Sequence, residues 1–235
     1  MQKPVPPQVL LIDKPAGLTS FGVVARVRRV LTPLYQQKYQ EAKLTPPRRL
    51  RVGHTGTLDP FATGLLIVLV DSATKQSNSF LKLDKEYIAT LHLGATSTTG
   101  DPEGTVQKSY SGAPIPLDKV KKVVQSFLGT IPQKVPAFSA VKIHGHRAYE
   151  LARKGQPVPT PTKNVTIYSL DILNYSWPSL TLKASVSSGT YIRSLAEDIG
   201  KQLGTGAYLT ALRRTKIANY SVDDALPLDY FLSNY

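Results

Sequence analysis

The run Arg51-Val52-Gly53-His54-Thr55-Gly56-Thr57-Leu58-Asp59-Pro60-Phe61-Ala62-Thr63-Gly64, followed by Leu65-Leu66-Ile67-Val68-Leu69-Val70, decides how the rest of the chain is read. Its last six residues are uncharged aliphatics of strand length, which marks a buried strand. Ahead of them, Gly53, Gly56 and Gly64 bracket a loop in which Asp59 is the only charged side chain apart from the ionisable His54. Glycines let backbone approach a ligand closely, and this spacing presents one carboxylate at the mouth of a strand. Other uses of such a loop stay open at this point. An Asp-Pro pair starts turns, and a Gly-Thr-rich loop can bind phosphate without doing chemistry.

On the N-terminal side, Val9 to Ile12 reads as a short strand, Gly17 turns the chain, and Thr19 or Ser20 caps a helix whose Val23, Val24, Val27, Val30 and Leu31 recur at helical spacing. Arg26, Arg28 and Arg29 then point largely outward. Thr32 to Arg49, with Pro33, Pro46 and Pro47, reads as an exposed excursion between elements. On the C-terminal side, Ser72 to Leu83 reads as a short helix, Glu86 to Leu93 as a strand and Leu117 to Leu128 as an amphipathic helix. Val165 to Asp171 and Leu180 to Val186 read as paired strands around Trp177-Pro178-Ser179. Thr190 to Leu203 carries the clearest helical stripe, Ile192, Leu195, Ala196, Ile199 and Leu203, with Gly204 where a helix ends. Strands outnumber helices without alternating regularly, which predicts an α+β fold: a mixed, mainly antiparallel central sheet flanked by helices and loops. No repeat or long linker divides the chain, so one domain over residues 1–235 is expected.

Composition bounds the chemistry. The chain has 235 residues and no cysteine, which excludes a disulfide framework, a catalytic thiolate, iron–sulfur clusters and cysteine zinc sites. The histidines are scattered, with only His144 and His146 close together, and no metal is expected. The longest apolar run, Leu65 to Val70, is far short of the roughly 20 residues a membrane span needs. The start lacks a signal-peptide core, so a soluble, cytoplasmic protein without a membrane role is expected. Lys and Arg total 29 against 16 for Asp and Glu, a formal charge of +13, which points to a polyanion partner. The excess is concentrated: Lys14 to Arg51 holds nine basic residues against Glu41 alone, and Leu128 to Lys163 six against Glu150 alone.

No Walker lysine, dinucleotide fingerprint or nucleophilic-serine elbow occurs, so the usual phosphate and acyl-transfer sites are absent from the sequence. A lone Asp with aromatic and cationic neighbours suits attack on an electron-poor centre, or proton transfer, on a base held between stacking groups. The stretch from Gly53 to Gly64 resembles the signature loop of the TruB family, the bacterial tRNA pseudouridine synthases. Further stretches resemble that family in the same order. They are Leu11 to Pro15 with Gly17, Thr19 and Ser20; Ala73-Thr74-Lys75 with Lys85-Glu86-Tyr87; Pro136 to Lys142 with Gly145, Ala148-Tyr149 and Ala152 to Gly155; Ser188 to Ser194; and Leu212-Arg213-Arg214.

The resemblance implies a pseudouridine synthase fold with an RNA-gripping insertion at about residues 128–155, acting without a cofactor on the T-loop uridine of tRNA. Asp59 aligns with the essential aspartate, which attacks the ribose C1′ of a flipped uridine or otherwise assists glycosidic cleavage and C5 reattachment. Arg193 aligns with the arginine that pairs with this aspartate, holding it ionised and aimed. Tyr87 aligns with the tyrosine that stacks on the target base and accepts a proton late in the reaction. His54 aligns with a histidine that receives the extruded nucleotide, and Tyr191 and Leu212 with walls beside the base. Lys14 is read as structural first and a phosphate contact second. Lys142 belongs with Lys134, Arg147, Arg153 and Lys154 to a basic stretch expected to close over the T arm.

Against the family pattern, residues 33–49 look longer than the usual link, and the chain stops soon after Leu212-Arg213-Arg214. A catalytic domain without the usual C-terminal RNA-binding PUA domain is therefore expected, acting as a monomer. Two rivals share parts of the pattern: a tRNA-binding chaperone without turnover, and a guide-dependent RNA pseudouridine synthase.

Overall fold

The computed structural model describes residues 8–43, 45, 48–139, 142–143, 146–153 and 155–235. Two compact units emerge, one of Met1–Leu83 with Arg213–Tyr235 and one of Asp84–Leu212. The first opens with β1 (Val9–Lys14), α1 (Ser20–Glu41), β2 (Val52–His54), β3 (Thr63–Val70), a 3-10 turn (Asp71–Gln76) and α2 (Ser77–Leu81). The second holds β4 (Lys85–Leu93), β5 (Ala95–Ser97), β6 (Val106–Lys108), α3 (Leu117–Gln125), β7 (Gly129–Lys134), β8 (Lys142–Ile143), β9 (His146–Arg147), α4 (Ala148–Arg153), β10 (Thr162–Ser176), β11 (Ser179–Val186) and α5 (Ile192–Leu203). Strand β12 (Ala207–Ile217) leads back into the first unit, which closes with β13 (Tyr220–Ser221), β14 (Leu226–Pro227) and α6 (Leu228–Asn234). Among the described residues no helix is long and apolar enough to cross a membrane.

In the first unit the strand order is β14-β1-β3-β12. Strands β1 and β2 run antiparallel to β3, while β12 meets β3 in parallel through Arg213–Thr63 and Arg214–Gly64. From Leu65 to Val70 strand β3 is apolar, and both of its faces are covered. Leu66, Val68 and Val70 pack with Leu10 and Ile12 under Val23, Val24, Val27, Leu31 and Tyr35 of α1. Leu65, Ile67 and Leu69 pack on the other side with Phe80, Ile217 and Val222. Thr19 caps α1 as expected, its hydroxyl accepting from Gly22 N–H at 2.9 Å. The exposed excursion expected from Thr32 is corrected here: α1 continues through Pro33 to Glu41. Proline forfeits one helical hydrogen bond, but Pro33 lies on the exposed side, while Leu31 and Tyr35 on the opposite side are buried and hold the extra turns to the core.

The second unit runs β12-β4-β11-β10-β7, with β4, β11, β10 and β7 successively antiparallel. The whole is the mixed, mainly antiparallel arrangement that the sequence predicts. Helix α5 lays its stripe of Ile192, Leu195, Ala196 and Ile199 against Leu91, Leu170 and Leu182 of the sheet. Gly204 ends it in the left-handed conformation at φ 78°.

Candidate active site

The loop between β2 and β3 is fastened on every side within the first unit. Ser20, 1% exposed at the head of α1, exchanges two hydrogen bonds with Leu58: its hydroxyl donates to Leu58 C=O at 3.0 Å and accepts from Leu58 N–H at 2.8 Å. Ala62 N–H donates to Asp59 C=O at 3.1 Å, closing the Asp-Pro turn, and Gly17 N–H donates to Pro60 C=O at 2.8 Å. Lys14 is fully buried, its ammonium on the carbonyls of Pro15 (2.8 Å), Leu18 (2.7 Å) and Pro60 (3.2 Å). That position makes Lys14 a brace for the loop and withdraws it from a phosphate contact at the surface.

Beneath the loop lies Arg214, 1% exposed, donating from Nε to Leu65 C=O at 2.8 Å and from Nη2 to Gly56 C=O at 3.1 Å. A Cβ on Gly64 would stand 2.3 Å from the Arg214 carbonyl oxygen, and Gly64 has φ 103°. Only glycine lets β12 come this close. Its neighbour Arg213 forks onto Asp13 at 3.1 and 2.7 Å. Asp59 thus sits half-buried on a backbone fixed at Leu58, Pro60 and Ala62, and His54 sits half-buried at the end of β2.

In the second unit, Arg193 occupies the first turn of α5 and is 5% exposed. Its Nη1 donates to Thr99 C=O at 2.9 Å and lies 3.4 Å from the Asp101 carboxylate, and Nη2 donates to Phe138 C=O at 2.8 Å. Asp101, 3% exposed, is itself held by the Thr99 hydroxyl and by Glu103 N–H at 3.0 Å. A nearby carboxyl feels this environment: burial raises the Glu197 pKa, Arg193 partly offsets it, and Asp198 and Asp101 add to it. Tyr191 precedes Arg193 by two residues and is half-buried, with the Lys163 ammonium 4.5 Å from its ring centroid. Tyr87 lies in the row of β4 that alternation buries, 8% exposed, and Leu212 is 7% exposed in β12. Lys142 is in β8, paired with Arg147 of β9, and its side chain is outside the description, as is Lys154 altogether.

Sequence reading alone assigned no part to Asp101 or to the Arg214 side chain, and gave Ser20 only that of an alternative helix cap. Ser20 and Arg214 stood inside quoted motifs, but nothing in their spacing tells that their side chains turn inward. Asp101 had one legible sign, its place between Gly100 and Pro102 in a tight turn.

Two solved structures share this fold over nearly the whole chain. A Cbf5-Nop10-Gar1 complex aligns with TM-score 0.68 and 29% identity over 95% of this chain and 54% of the other. An H/ACA RNP bound to a substrate RNA aligns with TM-score 0.66 and 26% identity over 96% and 52%. The chain thus spans about half the length of these structural relatives. The family models that match the chain define its class as pseudouridylate synthase. The model of the TruB family pseudouridylate synthase N-terminal domain matches residues 43–192, and that of the tRNA pseudouridylate synthase B C-terminal domain matches residues 193–235. The tRNA pseudouridine synthase B of Aquifex aeolicus is 46% identical over 96% of this chain and 73% of its own, and that of Phocaeicola vulgatus 40% identical over 95% and 91%. This chain belongs to the TruB family.

Proposed function

We propose that the chain isomerises the T-loop uridine of tRNA, position 55, to pseudouridine, as a cytoplasmic monomer that needs no cofactor. In this reaction the N1–C1′ bond breaks, the base turns, C5 bonds to C1′, the C5 hydrogen leaves as a proton to solvent, and N1 takes up a proton. Asp59 is the carboxylate at C1′, Arg193 the cation that keeps it ionised, and Tyr87 the ring that stacks on the base and takes up the C5 proton. His54, Tyr191 and Leu212 receive the extruded nucleotide. The observation that carries the reading is the fastened Asp59 loop: a backbone locked at Leu58, Pro60 and Ala62 within the twelve-residue stretch that resembles the family's signature. Family membership and relatives named tRNA pseudouridine synthase B support it.

Tritium release from 5-tritiated uridine in tRNA tests it. The wild-type chain is expected to release tritium and Asp59→Asn to lose at least about a thousandfold in rate. Equal release from both would defeat the role of Asp59. Binding with no release from either would favour a tRNA chaperone.

A further inference from the structure

Helix α5 begins without a side-chain cap of its own: Tyr191 occupies the N-cap position, at φ −100° and ψ 111°, and supplies no capping hydrogen bond. What docks this end of the helix comes from β7. Gln133 is fully buried, its amide oxygen accepting from Tyr191 N–H at 2.8 Å and its amide nitrogen donating to Tyr191 C=O at 3.1 Å. One residue on, Lys134 C=O accepts from the Ser194 hydroxyl at 3.0 Å, and Phe138 C=O accepts from Arg193 Nη2 at 2.8 Å. Across the ladder, Lys163 of β10 is paired in register with Gln133, donates its Nζ to Gly189 C=O and stands over the Tyr191 ring at 4.5 Å. The cross-strand pair therefore holds Tyr191 twice, Gln133 by its backbone and Lys163 by its ring.

We propose that Gln133, with Lys163 beside it, is a positioning residue: it registers the root of the RNA-gripping segment against the first turn of α5 and so fixes where Tyr191 and Arg193 stand. The inference rests on the functional reading of those two residues given above. Glutamine suits the task because one planar amide accepts from an N–H and donates to a C=O of the same residue. A carboxylate there accepts but cannot donate, and an aliphatic side chain removes both of these bonds from Tyr191, whose C=O keeps its helical bond from Leu195 N–H at 3.1 Å. Misplacement of a reacting or aiming group by about an ångström lowers turnover far more than it lowers binding, which the basic surface supplies.

Steady-state and single-turnover tritium release from a T-arm stem-loop test the proposal, each variant being checked for a folded circular-dichroism spectrum and melting transition. Gln133→Leu is expected to lose roughly 10- to 100-fold in kcat with KM within about twofold of wild type. Gln133→Glu is expected to be as slow at pH 8 and to recover toward pH 6, where a protonated carboxyl again donates to Tyr191 C=O; the wild-type profile provides the baseline. Lys163→Met is expected to lose about three- to tenfold in kcat. Ser109→Ala, which removes a hydrogen bond to Thr205 C=O elsewhere in the same unit, should leave kcat unchanged. A wild-type kcat in Gln133→Leu, a loss confined to KM, or an equal loss in Ser109→Ala would overturn the proposal. If Gln133→Leu does not fold, Gln133→Glu and Lys163→Met decide: no recovery at low pH together with an unchanged kcat in Lys163→Met would overturn it. An inactive wild type defeats the functional reading instead.

Discussion

Arg213 and Arg214 show how far identical neighbours can diverge. One is half-exposed and forked onto Asp13, the other almost wholly buried beneath the Asp59 loop. Strand alternation separates them, since successive side chains of β12 face opposite ways. The sequence reading had no strand there, because Thr210, Arg213, Arg214 and Lys216 dilute the apolar pattern, so the burial of Arg214 was not legible. The loop that carries Asp59 was legible, because its glycines and the aliphatic run after it are local signals. Tyr35 is another residue that local signals hid. It is 2% exposed, and among the described residues its hydroxyl has no hydrogen-bond partner. Its pKa is pushed up to about 12 by burial first, then by the nearby Asp71 and Tyr39. Since the folded pKa lies above the unfolded value, Tyr35 adds no pH dependence to stability below pH 10. Between pH 10 and 12 the unfolded chain releases the proton more readily, and stability is lost as pH rises. Tyr35→Phe is expected to hold or raise stability by up to about 1 kcal/mol at pH 7 and to reduce the alkaline loss, as read by urea unfolding at pH 7 and pH 11.

At the scale of elements, the strands and helices with clean periodicity were legible: β1, β3, β4, α3, α5 and the β10–β11 hairpin all lie where their patterns predict. Helix α1 ran past its predicted end because three prolines were weighed as one breaking signal, whereas Pro33 alone falls within the helix and on its open side. The α1 extension is further tied down where Tyr39 donates to the Asp71 carboxylate at 2.9 Å. The parallel contact of β3 with β12 was beyond sequence reading, since it joins segments far apart in the chain. Its fit at Gly64 gives a sharp expectation. Gly64→Ala places a methyl against backbone that cannot yield and adds a side chain at a positive φ, so a loss of about 3 kcal/mol or more is expected in chemical denaturation. Because β3 begins directly after the loop, tritium release should fall in the same variant even at temperatures where it remains folded.

On the scale of the whole molecule, the charge excess was readable from composition, and its two concentrations flank the segment that carries the loop and Tyr87. If the basic surface engages phosphates, affinity for tRNA falls linearly with salt on logarithmic axes, with a slope of about −0.7 to −0.9 for each phosphate neutralised. A titration of filter-retained tRNA between about 50 and 200 mM salt should show a drop of a hundredfold or more, and a flat line would remove electrostatics from the binding account. The two-sided cover of β3 bears on how the chain comes to be made. Leu65, Ile67 and Leu69 rest partly on Ile217 and Val222, which a ribosome delivers long after them. Until then the nascent polypeptide carries an uncharged, sticky hexapeptide without its lid, the kind of segment from which aggregates start and over which chaperones stand guard.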